Sequence, residues 1–369
     1  MIARTKIAAL AKATRAAIIL PGLFGFLLFF VKDVQAAGFA VFGTFAHLVM
    51  TNYGPQRSNR IAQVVTLTFC GVVMITWGTA VSTRIWLAVP SAGLVGFTAQ
   101  TARLFGDSIA AGRTVALLAF MLAVTSPASP VDIVPRVGGW VLSGVIALIV
   151  LLATWISLGL SNPAQLMIHA PSAPELPLAD EADSRLDRKF CARLRRLPAA
   201  LNIQSDWFPS STRAAVAMAL AVLISGVFKF EHGFWIVLGI LPILRASDTT
   251  QARTFFQEQG GTLAGFISSA LLVAIVQSHQ EIYWIALPVT AFVAVYVSTA
   301  VGFVAGQAAF TVFVVVVLNI LAPLGFRAGI LRLEDIAIGG AISLFLGIVY
   351  PTGRKPSHVS ARWQNPQEP

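Results

Sequence analysis

The apolar stretches of this chain come in two matching sets. RAAIILPGLFGFLLFF from Arg15 returns as RAAVAMALAVLISGVF from Arg213. IWLAVP at Ile85–Pro90 returns as YWIALP at Tyr283–Pro288, and RVGGWVLSG from Arg136 answers RLEDIAIGG from Arg332. The offset stays at 196 to 198 residues throughout. A unit written twice must fold twice, and duplicated hydrophobic halves are a signature of transport proteins whose substrate path lies between the repeats.

Lipid is the solvent for most of this chain. Hydrophobic residues make up 56% of it and charged residues 11%, against about 25% charged in an ordinary soluble domain. Six spans are expected in each half. In the first they lie near 14–31, 37–51, 62–80, 85–102, 108–125 and 137–160. In the second they lie near 213–229, 233–246, 260–278, 282–299, 301–321 and 334–351. The second span of each half is shorter than the roughly 20 residues a perpendicular crossing needs, and Pro242 is expected to break the one in the second half. The N-terminus, basic and then apolar, lacks a clear small-residue cleavage site and reads as the first span rather than a signal peptide.

The fold expected is all-α integral membrane: two six-helix repeats in parallel orientation, about 12 transmembrane helices, forming a pseudo-dimer. Basic residues set the orientation. They gather in the N-terminal segment (Arg4, Lys6, Lys12, Arg15), between the halves (Arg185, Arg188, Lys189, Arg193, Arg195, Arg196) and after the last span (Arg354, Lys355, Arg362). Positive-inside bias makes all three cytoplasmic and each half even in its number of spans. The domains expected are an N-terminal repeat over 1–164, a cytoplasmic linker over 165–208, a C-terminal repeat over 209–352 and a polar cytoplasmic tail over 353–369. Within the linker, Leu186, Phe190, Leu194 and Leu197 line one face of a basic amphipathic helix suited to an anionic lipid leaflet. The location expected is a bacterial inner membrane.

The net charge of +10 follows from those topology residues and does not signal nucleic acid. Two cysteines make no disulfide framework, and no Cys/His spacing suits a metal. No nucleophile–base pair, phosphate loop or nucleotide-binding domain is legible, so the expectation is a protein that is not an enzyme and uses no cofactor and no metal.

Charges inside lipid are expensive and point to function. The second half holds nearly all the candidates. Arg245 and Arg253 flank a polar stretch after the second span and could take an anionic substrate, or serve only as topology residues. Phe234 and Trp235 offer an aromatic wall. Gln307 and Thr311 put hydrogen-bonding groups at membrane depth. Arg332, Glu334 and Asp335 open the last span; the acids either complement its helix dipole or couple transport to a cation. Gly261 with Gly265, and Gly302 with Gly306, form small faces for close helix packing. His47 is intramembrane with no evident partner. In the first half Arg113 stands near the position of Gln307 and should face a cavity or the cytoplasmic surface.

Three segments of the second half, HGFWIVLGILPILR, TTQARTFFQEQGGTLAG and RLEDIAIGGAISL, resemble the fusaric acid resistance protein-like family, also called aromatic acid exporters. The resemblance rests on His232–Trp235, Arg245, Thr250, Arg253, Gly261–Thr262, Arg332, Asp335 and Gly339, and covers about 211–352. Glu258 departs from it, standing where family members often have a second arginine. The resemblance implies a six-span unit that exports small organic acids, often aromatic carboxylates, driven by the proton motive force. Plant aluminium-activated malate transporters look like distant relatives that act as anion channels of two such units, hence the pseudo-dimer. The expected partners are a small organic anion and membrane lipids, with a homo-oligomer left open. The alternatives are a passive organic-anion channel of the same fold and a non-transporting scaffold for envelope or lipid assembly.

Overall fold

A computed structural model describes residues 2–51, 57–102, 107–157, 207–230, 233–246, 249–276 and 279–351. Twelve α-helices account for most of them, and no strand occurs among the described residues. The first six are α1 (Ile2–Phe26), α2 (Val34–Phe45), α3 (Arg57–Val81), α4 (Ile85–Thr101), α5 (Asp107–Val124) and α6 (Ile133–Ser157). The second six are α7 (Trp207–Phe228), α8 (Phe234–Arg245), α9 (Gln251–Val276), α10 (Gln280–Ala300), α11 (Phe303–Leu321) and α12 (Arg327–Val349). Single π-turns extend α1 to Val31 and α2 to Met50. The expected linker helix, His232 and the tail after Pro351 lie outside the described residues.

Seven helical stretches among the described residues are long and apolar enough to cross a bilayer. The protein is therefore a multi-pass, all-helical membrane protein. The other helices fall short for identifiable reasons. Helix α8 has 12 residues, about 18 Å of helix, and α2 with its π-turn runs only from Val34 to Met50, about 25 Å, in a hydrocarbon core of about 30 Å. Helix α12 is long enough but carries Arg327, Arg332, Glu334 and Asp335. Two expectations change. Pro242 does not break its span, because α8 runs through it to Arg245. The last helix starts at Arg327, not near 334, so Glu334 and Asp335 lie beyond its first turn and the dipole explanation lapses.

The same devices recur in both halves. The first helix of each ends in a lysine with left-handed backbone, Lys32 (φ 58°) and Lys229 (φ 54°), a conformation that stops a helix. Beyond Lys32, the side chain of Asp33 caps α2 by accepting from the Ala36 amide at 2.9 Å, one of the donors a helix start leaves orphaned. Then α2 packs on α6 and α3 on α5, while α8 packs on α12 and α9 on α11. The small faces explain the last contact. A Cβ on Gly261 would stand 2.6 Å from the Val304 carbonyl oxygen, and one on Gly265 would stand 2.5 Å from that of Ala308.

The halves meet through exchanged helices: α4 lies against α7, and α1 against α10. At the first contact Gln100 donates to Ser210 at 3.0 Å, and Gly96 leaves room for Met218. At the second, Trp284 packs against Phe24 and Phe29, with ring centroids 5.7 and 5.0 Å away. His47 has partners after all: it is buried, with Nδ1 2.7 Å from the Gly43 carbonyl and Nε2 3.1 Å from the Thr68 hydroxyl. It ties α2 to α3.

Candidate functional site

The short helices α2 and α8 touch through Phe42, Phe234 and Trp235. Where they meet α5, α6, α10 and α11 a cavity of about 250 Å³ opens between the halves. Rings dominate its wall: Phe42, Phe45, Trp140, Phe234, Phe303 and Phe310. Ser298 and Gln307 are its polar side chains. Drug-sized pockets run from about 300 to 1,000 Å³, so this one suits a single small ring.

A second, wholly apolar cavity of about 50 Å³ adjoins it, lined by Trp235 and Phe313 among others. Phe42, Phe45 and Phe310 belong to both walls. Phe45 and Phe310 approach from opposite halves, with centroids 5.1 Å apart. Phe42 meets the Phe234 ring edge-on at 5.0 Å and lies 5.9 Å from Trp235. These rings form a constriction between the two cavities.

Behind Phe310 and Gln307 lies a buried polar cluster. Glu258 on α9 is 0% exposed and Arg332 on α12 is 1% exposed. Gln307 donates from its amide to Glu258 Oε1 at 3.1 Å. Arg332 donates from Nε to the Thr311 hydroxyl at 3.1 Å, and that hydroxyl donates to the backbone carbonyl of Gln307. The guanidinium lies between two aromatic faces, 4.7 Å from the centre of Trp235 and 4.9 Å from that of Phe310. Its charge interacts with Glu258 and with Asp335, which is buried one turn along α12. Two atoms of the cluster, Arg332 Nη1 and Glu258 Oε2, have no hydrogen-bond partner among the described residues. Buried charges are normally fully paired, so both are open valences.

The first half shows what a saturated version looks like. Arg136 opens α6 as Arg332 sits in α12, and it too is 1% exposed with an aromatic ring, Phe39, 5.0 Å from its guanidinium. Yet it donates to Gln35 Oε1 at 3.0 Å, to the Thr79 hydroxyl and the Ala123 carbonyl at 3.2 Å each, and to the Ser126 carbonyl at 2.8 Å. Arg113 lines a separate cavity of about 30 Å³, room for about one water, and donates to Gln100 Oε1 at 2.7 Å.

The sequence candidates thus separate. Phe234 and Gln307 line the larger cavity and Trp235 the smaller. Thr311, Arg332 and Asp335 belong to the buried cluster behind them. Arg253 and Glu334 are exposed and line neither cavity. Arg245 is the last residue of α8; its side chain is outside the described set. Phe42, Phe45, Trp140, Ser298, Phe303, Phe310 and Glu258 were not among the candidates. A carboxylate two residues before a Gly-Gly-Thr run was the available signal for Glu258.

Residues 220–346 match the family model described as fusaric acid resistance protein-like, so the second half carries that family's domain, as its motifs suggested. No curated protein and no solved structure matches the chain significantly. This domain on a multi-pass helical scaffold makes the protein membrane transport-related.

Proposed function

We propose that the protein exports small aromatic carboxylic acids across the bacterial inner membrane, along a path between its two halves. The observation that carries this reading is the ring-lined cavity at the junction of the halves, sized for one aromatic ring and backed by a buried arginine. A flat apolar ligand gains from aromatic walls, and a few well-placed polar groups set its orientation. A resistance protein for a toxic acid works by moving it outward, and a membrane potential negative inside drives an anion in that direction.

Matching helix pairs in each half and the reciprocal α1–α10 and α4–α7 contacts support a parallel pseudo-dimer. An even number of spans per half keeps the basic segments, and with them both termini, cytoplasmic. Arg245 and Arg253, near the end of α8 and the start of α9, act as surface cations that raise the local concentration of the acid. Asp335, buried one turn from Arg332, carries the coupling to protons, with the exposed Glu334 in a lesser role.

The test is flux of labelled benzoate in inverted vesicles, net of vesicles lacking the protein. Protein-dependent accumulation that rises with an imposed proton gradient is expected. No protein-dependent flux would reject transport of aromatic acids. The second reading, a passive anion channel, is favoured by the near-continuity of the two cavities through one ring of phenylalanines. Currents that reverse at the anion equilibrium potential whatever the pH gradient would select it.

A further inference from the structure

The geometry points to Arg332 as the residue that receives the carboxylate of the transported acid. This rests on the transport reading above and assigns the binding cation within it.

Three observations converge. The first is the contrast between two arginines at corresponding places. Arg136 spends its guanidinium on four protein acceptors. Arg332, equally buried, makes one hydrogen bond among the described residues, to Thr311, and leaves Nη1 bare. A buried guanidinium with an unused N–H is costly unless some state of the protein supplies an acceptor. The fork of a guanidinium matches a carboxylate in two parallel hydrogen bonds.

The second is position. Phe310 lines the cavity, and its ring centre lies 4.9 Å from the Arg332 guanidinium. It is the side chain shared by the cavity wall and the arginine, and its rotation is the movement that binding requires. A benzoate-like ligand would then keep its ring among Phe42, Phe45 and Phe234 while its carboxylate reached Arg332.

The third is the surroundings of the guanidinium. Glu258 turns one oxygen to the Gln307 amide and leaves the other without a partner among the described residues. Gln307 is itself a wall residue of the cavity. No protein carboxylate hydrogen-bonds Arg332 among the described residues, so its fork is open to a carboxylate from the cavity side. Arg253, exposed at the start of α9, is not part of this site.

The experiment measures binding of benzoate and of benzamide, the uncharged ring of the same shape, to the purified full chain by quenching of tryptophan fluorescence. Wild type should bind benzoate better than benzamide. Arg332→Gln should weaken benzoate by about tenfold or more, the size of one lost charge-assisted hydrogen bond, and leave benzamide unchanged. Arg332→Lys, which keeps the charge and loses the fork, should bind benzoate more weakly than wild type and more tightly than Arg332→Gln, with benzamide unchanged; a merely structural role would not separate the two ligands, and this variant reads the proposal even if Arg332→Gln does not fold. Equal loss of both ligands in either variant would overturn the assignment while leaving the cavity's role intact. If wild type binds neither ligand, the transport reading fails and this assignment falls with it.

Discussion

Replacing Gly265 by alanine tests whether the close approach of α9 and α11 holds the buried cluster together. The new Cβ would stand 2.5 Å from the Ala308 carbonyl oxygen and 2.6 Å from the Thr311 Cβ. Ordinary contact begins near 3.4 Å, so α11 must retreat by about 0.9 Å. Overpacking of this kind costs about 1–3 kcal/mol. Better intrinsic helix propensity of alanine returns at most about 1 kcal/mol. A displacement of that size is also more than the 3.1 Å bond between Arg332 and Thr311 can absorb within hydrogen-bond range. Gly260→Ala is the matched control, since nothing stands within 4 Å of its Cβ and it lies in the same helix. Thermal unfolding in detergent should show Gly265→Ala clearly less stable than wild type and Gly260→Ala unchanged or slightly more stable. Benzoate flux should fall only in the first. Equal stability of the two variants would refute the packing argument.

Two other perturbations probe the rings and the silent arginine. Phe310→Ala removes the ring shared by both cavities and should raise the flux of acetate relative to benzoate toward parity in vesicles, because the constriction no longer discriminates by shape. Arg136→Gln strips donors from four acceptors and should destabilise the fold by about 2–5 kcal/mol, read as a lower unfolding temperature, with the benzoate-to-benzamide binding ratio of the surviving folded protein unchanged.

The helices were legible in the sequence nearly one for one, because an apolar run in lipid leaves the backbone no alternative to helix. Their starts were less so. Hydropathy begins a span where charges stop, but α9 begins at Gln251, not near 260, and α12 at Arg327, not near 334. That error had a consequence for the site. Glu258 fell in a polar stretch outside the span, although it sits two turns inside a helix and faces Arg332. Likewise the acidic pair near Arg332 looked like a helix opening. The aromatic constriction was illegible for another reason: apolar residues occur all around α2 and α11, so periodicity cannot tell a ring that faces a path from one that faces lipid. Gln307 and Thr311 were found as hydrogen-bonding groups at membrane depth, and Phe234 and Trp235 as an aromatic wall in a segment that carries the family resemblance.

The two halves share a frame but divide its tasks. Each places an arginine early in its last helix, against an aromatic residue from its second helix: Phe39 under Arg136, Trp235 over Arg332. In the first half the carbonyls of Ala123 and Ser126 close around the guanidinium and make it a structural tie. In the second half the corresponding volume holds Thr311, Gln307 and Glu258 on two helices joined by a glycine face. The family resemblance leads one to expect an arginine where Glu258 stands. A second arginine beside Arg332 would make a strongly cationic pocket, tight for anions and slow to release them. With a glutamate there instead, the carboxylate binding proposed for Arg332 rests on a single guanidinium. That lowers affinity and favours exchange, as a path that must release its cargo requires.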